Sequence, residues 1–86
     1  MSDIRELTPG QKYRVIKEFK DDDQEIHPVG ETWTFSMTSF VPYHSGLVLH
    51  VFLEGETEQT VYRFWCTPEG QDHIVGNFHE YVEAVK

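Results

Sequence analysis

The chain has 86 residues, 38% of them hydrophobic, and a formal net charge of −8, which leaves room for one small domain with a single core. A lone cysteine, Cys66, excludes an intrachain disulfide. The longest apolar run, Leu47 to Leu53, is broken by His50 and falls far short of the ~18 residues that a membrane span requires. Residues Met1-Ser2-Asp3-Ile4-Arg5-Glu6 lack the basic, apolar, small-residue order of a secretory signal, so a soluble protein of the cytoplasm is expected. The charge is also uneven. From Asp21 onward two cations, Arg63 and Lys86, stand against twelve acids. Nucleic-acid binding, which needs several Lys or Arg contacts to phosphate, is therefore not expected.

Leu7-Thr8-Pro9-Gly10 reads as a turn, with proline presetting φ and glycine free to take positive φ. A first strand is predicted over 12–19, where Tyr13, Val15 and Phe19 mark one side and Ile16 the other. The acidic segment Asp21-Asp22-Asp23-Gln24-Glu25 follows, and Pro28-Val29-Gly30 closes that loop. A second strand over 31–38 has the clearest two-residue period, with Trp33, Phe35 and Met37 alternating with threonine and serine. Pro42, Tyr43, His44 and Gly46 punctuate a connecting loop, in which Tyr43 and His44 offer an aromatic contact or pack back on the domain.

Leu47, Leu49, Val51 and Leu53 form one face of a third strand over 47–53. Glu54-Gly55-Glu56-Thr57-Glu58 makes the next hairpin turn, and a fourth strand runs over 59–66. Its facing is open, because Tyr62 and Phe64 compete with Val61 and Trp65 for the inner side. From Thr67 the period changes to 3.6. Thr67 is a suitable N-cap, Pro68 a first helical residue, and Ile74, Val75, Phe78, Tyr81, Val82 and Val85 make an apolar stripe, so a helix over 68–85 is predicted. Four strands and a helix without parallel crossovers imply an α+β domain: a strongly curved antiparallel sheet of four to five strands, or a small SH3-like barrel, with the C-terminal helix packed on it.

Leu7-Thr8-Pro9-Gly10, Tyr13-Arg14-Val15, Asp21, Asp23, the string His27-Pro28-Val29-Gly30-Glu31-Thr32-Trp33-Thr34-Phe35, Phe40, Tyr43, Gly46-Leu47, Trp65 and Tyr81 resemble a small bacterial family catalogued as domain of unknown function 3601. The resemblance covers nearly the whole chain and brings no activity or residue roles with it. The pairing of a Gly-Glu turn with an aromatic strand is similar, at the level of fold alone, to SH3-like barrels.

In a meander the turns after the first and third strands share one end of the sheet. Asp21, Asp22, Asp23, Glu25, Glu54, Glu56 and Glu58 would then form one acidic rim, either solvated turns that keep the protein soluble or a docking surface for a basic protein. Calcium would find carboxylates there, but the Asp-x-Asp-x-Asp-Gly order is missing. The five histidines, His27, His44, His50, His73 and His79, show no metal-ligand spacing; His27 suits the ordering of its own turn. Cys66, just before the proposed N-cap, is a nucleophile candidate or a small buried hydrophobe. No catalytic residue, cofactor or metal is expected. The leading expectation is a non-enzymatic, acidic protein-interaction domain of immunity or antitoxin type that binds a basic partner through its acidic turns. The alternative is a small-ligand or regulatory module with an apolar groove between sheet and helix, lined by Trp65, Phe78 and Tyr81.

Overall fold

The computed structural model describes residues 4–41 and 46–85. Threonines alternating with Trp33 and Phe35 build the long strand β4 (Thr32–Val41), around which β1 (Lys12–Val15), β5 (Gly46–Leu53) and β6 (Gln59–Trp65) assemble. The sheet order is β6-β5-β4-β1-β7, with β7 (Val82–Ala84) supplied by the C-terminus and every pairing antiparallel. Tyr13, Val15, Trp33, Phe35, Leu47, Leu49, Val51, Tyr62 and Phe64 turn inward and are buried. The open facing of β6 is thereby settled: Tyr62 and Phe64 point into the core, while Val61 and Trp65 remain about 42% exposed.

The predicted first strand is shorter than 12–19. It stops at Val15, where Gly30 and Glu31 close onto it through Gly30 N–H to Val15 C=O and Val15 N–H to Glu31 C=O. Residues 16–31 then fold back as a strap across the inner face, carrying a two-stranded ribbon of β2 (Phe19–Lys20) and β3 (Ile26–His27). The strap reaches β6, where Asp22 N–H donates to Arg63 C=O at 2.8 Å. Phe19 anchors it. Its ring meets Phe64 at 6.0 Å, Phe78 at 5.6 Å and Tyr81 at 5.8 Å.

The C-terminal segment departs further from the predicted helix over 68–85. After β6 the chain makes tight turns, with Thr67 N–H and Gln71 N–H both donating to Trp65 C=O. Helix α1 covers only Asp72–Gly76; a 3-10 turn at Phe78–Glu80 and then β7 follow. Thr67 caps nothing, and its buried hydroxyl finds no hydrogen-bond partner among the described residues. Gly76 and Asn77 end the helix cheaply, and the open flank of β1 takes Val82–Ala84 as a strand partner. Most of the apolar stripe is buried all the same: Ile74, Val75, Phe78, Tyr81 and Val82 join the core, while Val85 is half-buried.

No SH3-like barrel closes. β6 and β7 stay at opposite edges of an open sheet, and Phe19 of the strap and Ile74 and Val75 of the short helix pack into the core on its inner face. The fold is thus α+β, dominated by antiparallel sheet. Phe19, 4% exposed and touching four rings, is its main tie between strap and sheet. Replacing Phe19 with alanine is expected to cost about 3–5 kcal/mol, measured by urea unfolding; a loss below about 1 kcal/mol would show that the strap is dispensable.

Candidate functional site

At its tip the strap bends around one carboxylate. Asp21 Oδ1 accepts the backbone N–H groups of Asp23 at 2.9 Å and Glu25 at 3.1 Å, and Gln24 takes a positive φ of 67° to complete the turn. Asp21 Oδ2 faces His27 Nε2 at 2.7 Å, and His27 Nδ1 faces Glu31 Oε1 at 2.8 Å. Trp33 Nε1 also donates to Glu31 Oε1, at 3.2 Å. Both ring nitrogens of His27 therefore point at carboxylate oxygens, which only accept, and the arrangement requires imidazolium. The ring stacks on Phe19 at 4.8 Å and meets the edge of Tyr62 at 4.3 Å.

Burial alone pulls the imidazolium's pKa down. The hydrogen bonds to Glu31 and Asp21, and their negative charges, outweigh it, so the net shift is upward from the ordinary value of 6.5. Burial first, then the charges of Glu31, Glu25 and Asp21, push the Tyr62 phenol up to about 12. Neither group suits general-base chemistry near neutrality: His27 has no ring nitrogen left over, and Tyr62 holds its proton. The cluster is a structural clamp on the strap.

The seven acids of the expected rim do not share one place. Asp21 is 1% exposed and wholly engaged in the clamp. Asp22, Asp23 and Glu25 sit at the strap tip beside β6, where Arg63 Nη1 lies 3.6 Å from Asp23. Glu54, Glu56 and Glu58 lie at the β5–β6 turn, with Glu54 paired to Lys12 Nζ at 3.1 Å. Arg63 is five residues along β6 from Glu58, or about 17 Å at the rise of an extended strand. The four main strands do form a meander, but the first connection is a strap over the face and not a turn at the end, so its acidic tip is carried away.

Trp65, Phe78 and Tyr81 likewise do not line one groove. Phe78 and Tyr81 are core residues, with Phe19 packed edge-on against both, and Trp65 lies on the opposite side of β6 from Tyr62 and Phe64. Cys66 is half-buried against the core, six residues ahead of a five-residue helix. Tyr43 and His44 lie outside the described residues. Among the described residues, no group of three or more His, Cys, Asp or Glu side chains is placed to hold a metal ion, and no helix is long and apolar enough to cross a membrane.

Two features of the outer sheet face escaped the sequence reading. Ser39, His50, Gln59 and Ser36 form a polar chain across three strands: the Ser39 hydroxyl meets His50 Nε2 at 3.0 Å, His50 Nδ1 meets Gln59 Oε1 at 3.2 Å, and Gln59 Nε2 donates to Ser36 Oγ at 3.0 Å. At the end of the sheet, Val41, Gly46, Val48 and Trp65 border an apolar cavity of about 210 Å³ that also touches Asp22 and Arg63. Gly46, paired with both Val41 and Trp65, has no side chain to fill the space between them. The available signal was the composition of residues 32–53, which contain no Asp, Glu, Lys or Arg.

The clamp separates neighbouring aspartates by role. Asp21→Ala and His27→Ala are each expected to cost about 3–5 kcal/mol, since each strands a buried charge, whereas Asp22→Asn should change stability by less than about 0.5 kcal/mol. The pH dependence has a definite sign. Because folding raises the pKa of His27, its stabilisation is complete below about 6.5, the unfolded value, and is lost as pH rises through the folded value. Thermal midpoints should therefore fall from pH 6 towards pH 9 in the wild type, with a shallower fall in His27→Gln; parallel pH profiles would refute the charged clamp.

Comparison with known proteins bears on the fold and the family. An integron cassette protein from the mobile metagenome of Vibrio cholerae, VCH_CASS4, superposes with a TM-score of 0.87 at 28% identity, over 99% of this chain and 92% of that one. No curated protein matches the chain. Residues 4–86 match the family model described as Domain of unknown function (DUF3601), and the chain belongs to that family.

Proposed function

We propose that this domain is a non-enzymatic protein-binding module that holds a basic partner at the Trp65 end of its sheet, in the manner of an immunity protein or antitoxin. The observation that carries the reading is the adjacency of an apolar cavity to an acidic tip: Val41 and Trp65, 39% and 42% exposed, border the same space as Asp22. A partner side chain of aliphatic or aromatic type fits the cavity, and a neighbouring Lys or Arg reaches Asp22. The volume, about 210 Å³, lies below the ~300–1,000 Å³ usual for small-molecule sites, which favours a side chain over a free ligand. The net charge of −8 supports a basic partner, because complementary charge accelerates encounter and suppresses like-charged competitors. The cassette-encoded relative suits the same reading, as a protein of mobile DNA.

This reading moves the binding site from a shared acidic rim to the strap tip and its neighbouring cavity. Glu54, Glu56 and Glu58 then contribute long-range attraction and no contact. Immobilised protein should retain a basic partner from host extract at low salt, with retention falling as salt rises. Trp65→Ala should weaken binding of that partner by at least about tenfold, which corresponds to ~1.4 kcal/mol. Glu56→Gln should alter the association rate only. Equal retention by the wild type and by a Trp65→Ala, Asp22→Asn double variant would remove this site.

A further inference from the structure

The far side of β4 poses a different question. β1 pairs with only Thr32, Trp33 and Thr34 of this ten-residue strand, and Gly10 and Gln11 extend the pairing to Phe35. The chain then turns away, with Gln11 N–H donating back to Thr8 C=O. A bulge at Ser36 interrupts the register with β5. Beyond it, residues 37–41 have β5 on one flank and no backbone partner on the other among the described residues. Met37 and Phe40 are 47% and 57% exposed.

Folded proteins ordinarily blunt such an edge with lysine, proline or an inward-pointing charge. Residues 37–41 carry none of these, and the neutral stretch extends over 32–53. All fifteen acids and all seven Lys and Arg residues lie outside it. The net charge of −8 opposes self-association through the acidic surfaces, whereas two copies facing each other along this edge would bring no like charges together. A basic partner gains nothing here, since no carboxylate lies on the strand to receive it.

We infer that the occupant of this edge is a second copy of the same chain, paired antiparallel through β4 about a two-fold axis at Ser39. Centring on Ser39 uses the whole free length of 37–41. It places Met37 opposite Val41 of the second copy, and Thr38 opposite Phe40 of the second copy. The contact is isologous, so it closes at two copies and does not propagate. Each β4 supplies the missing ladder partner of the other, and the two sheets join into one of ten strands. Trp65 itself lies two strands away, across β5; Val41, which borders the Trp65 cavity, is common to the pairing and to that site.

The test is the solution mass of the full chain by light scattering during gel filtration, across a range of concentration. The expected result is twice the 10.1 kDa chain mass, with dissociation on dilution. Phe40→Glu and Thr38→Lys should each shift the protein to monomer while keeping its circular dichroism and the thermal midpoint of the diluted wild type, since both side chains are at least partly exposed. The double variant Thr38→Lys, Phe40→Glu sets opposite charges across the proposed pairing and should regain the dimer. A monomer at every soluble concentration overturns the inference. A dimer indifferent to both single variants overturns it as well. So does a monomer whose 37–41 amides gain hydrogen-exchange protection only when another host protein is added, because the edge would then belong to a different chain.

Discussion

The proton on His27 fixes the connection from which the rest of the domain takes its shape. Residues 16–31 leave β1, cross the concave face and return to β4, and a crossing of that length is costly in chain entropy unless its middle is tied down. Two ties act together. Phe19 fills the space between Phe64, Phe78 and Tyr81, and imidazolium bridges Asp21 at the tip to Glu31 at the base. An isolated charge at 2% exposure would be prohibitive; a cation between two hydrogen-bonded carboxylates is tolerable because each desolvated group has a partner. The same Asp21 carboxylate shapes the turn through the N–H groups of Asp23 and Glu25, so the ion pair and the tip conformation stand or fall together.

This clamp changes what the family resemblance means physically. Asp21, His27, Glu31 and Trp33 belong both to the residues that carry the likeness and to one hydrogen-bonded unit. The string that carries the resemblance reports on how the strap is held. Asp22, Asp23 and Glu25 are exposed at the same tip, and their side chains take no part in the clamp. The structural acid and the surface acids are adjacent in sequence and separate in consequence.

The main strands were legible because their periodicity is local. Trp33 and Phe35 alternating with threonine, or Leu47, Leu49 and Val51 alternating with Val48 and His50, need no distant information to be read as half-buried strands. Two features were not legible, each for a non-local reason. Tyr13, Val15 and Phe19 keep a strand-like pattern that Lys17 interrupts, but the break at Val15 depends on Glu31 and Gly30 returning to pair with it. Val82 through Ala84 fits a helical stripe equally well, and the choice of strand depends on an open flank of β1 that the local sequence does not announce. Burial was nevertheless read correctly from the stripe, since Ile74, Val75, Phe78, Tyr81 and Val82 are core in either conformation. The candidate site fared worse: an acidic cluster is visible in a sequence, whereas a gap above Gly46 becomes visible only when Val41 and Trp65 flank it.

What remains on the surface is divided by charge and by the polar chain on the outer face. An uncovered sheet bearing Met37, Val41, Val61 and Trp65 would present one broad apolar patch, of the kind soluble proteins avoid. Ser39, His50, Gln59 and Ser36 interrupt it with an ordered line of hydrogen bonds running from β4 to β6. A partner covering the middle of the face would have to desolvate groups that already satisfy one another, with little to gain from them. Apolar contact is thereby left to the margins. At the Trp65 end the margin carries Asp22 beside Arg63; along residues 37–41 of β4 it holds no Asp, Glu, Lys or Arg. The two margins differ in charge and meet at Val41.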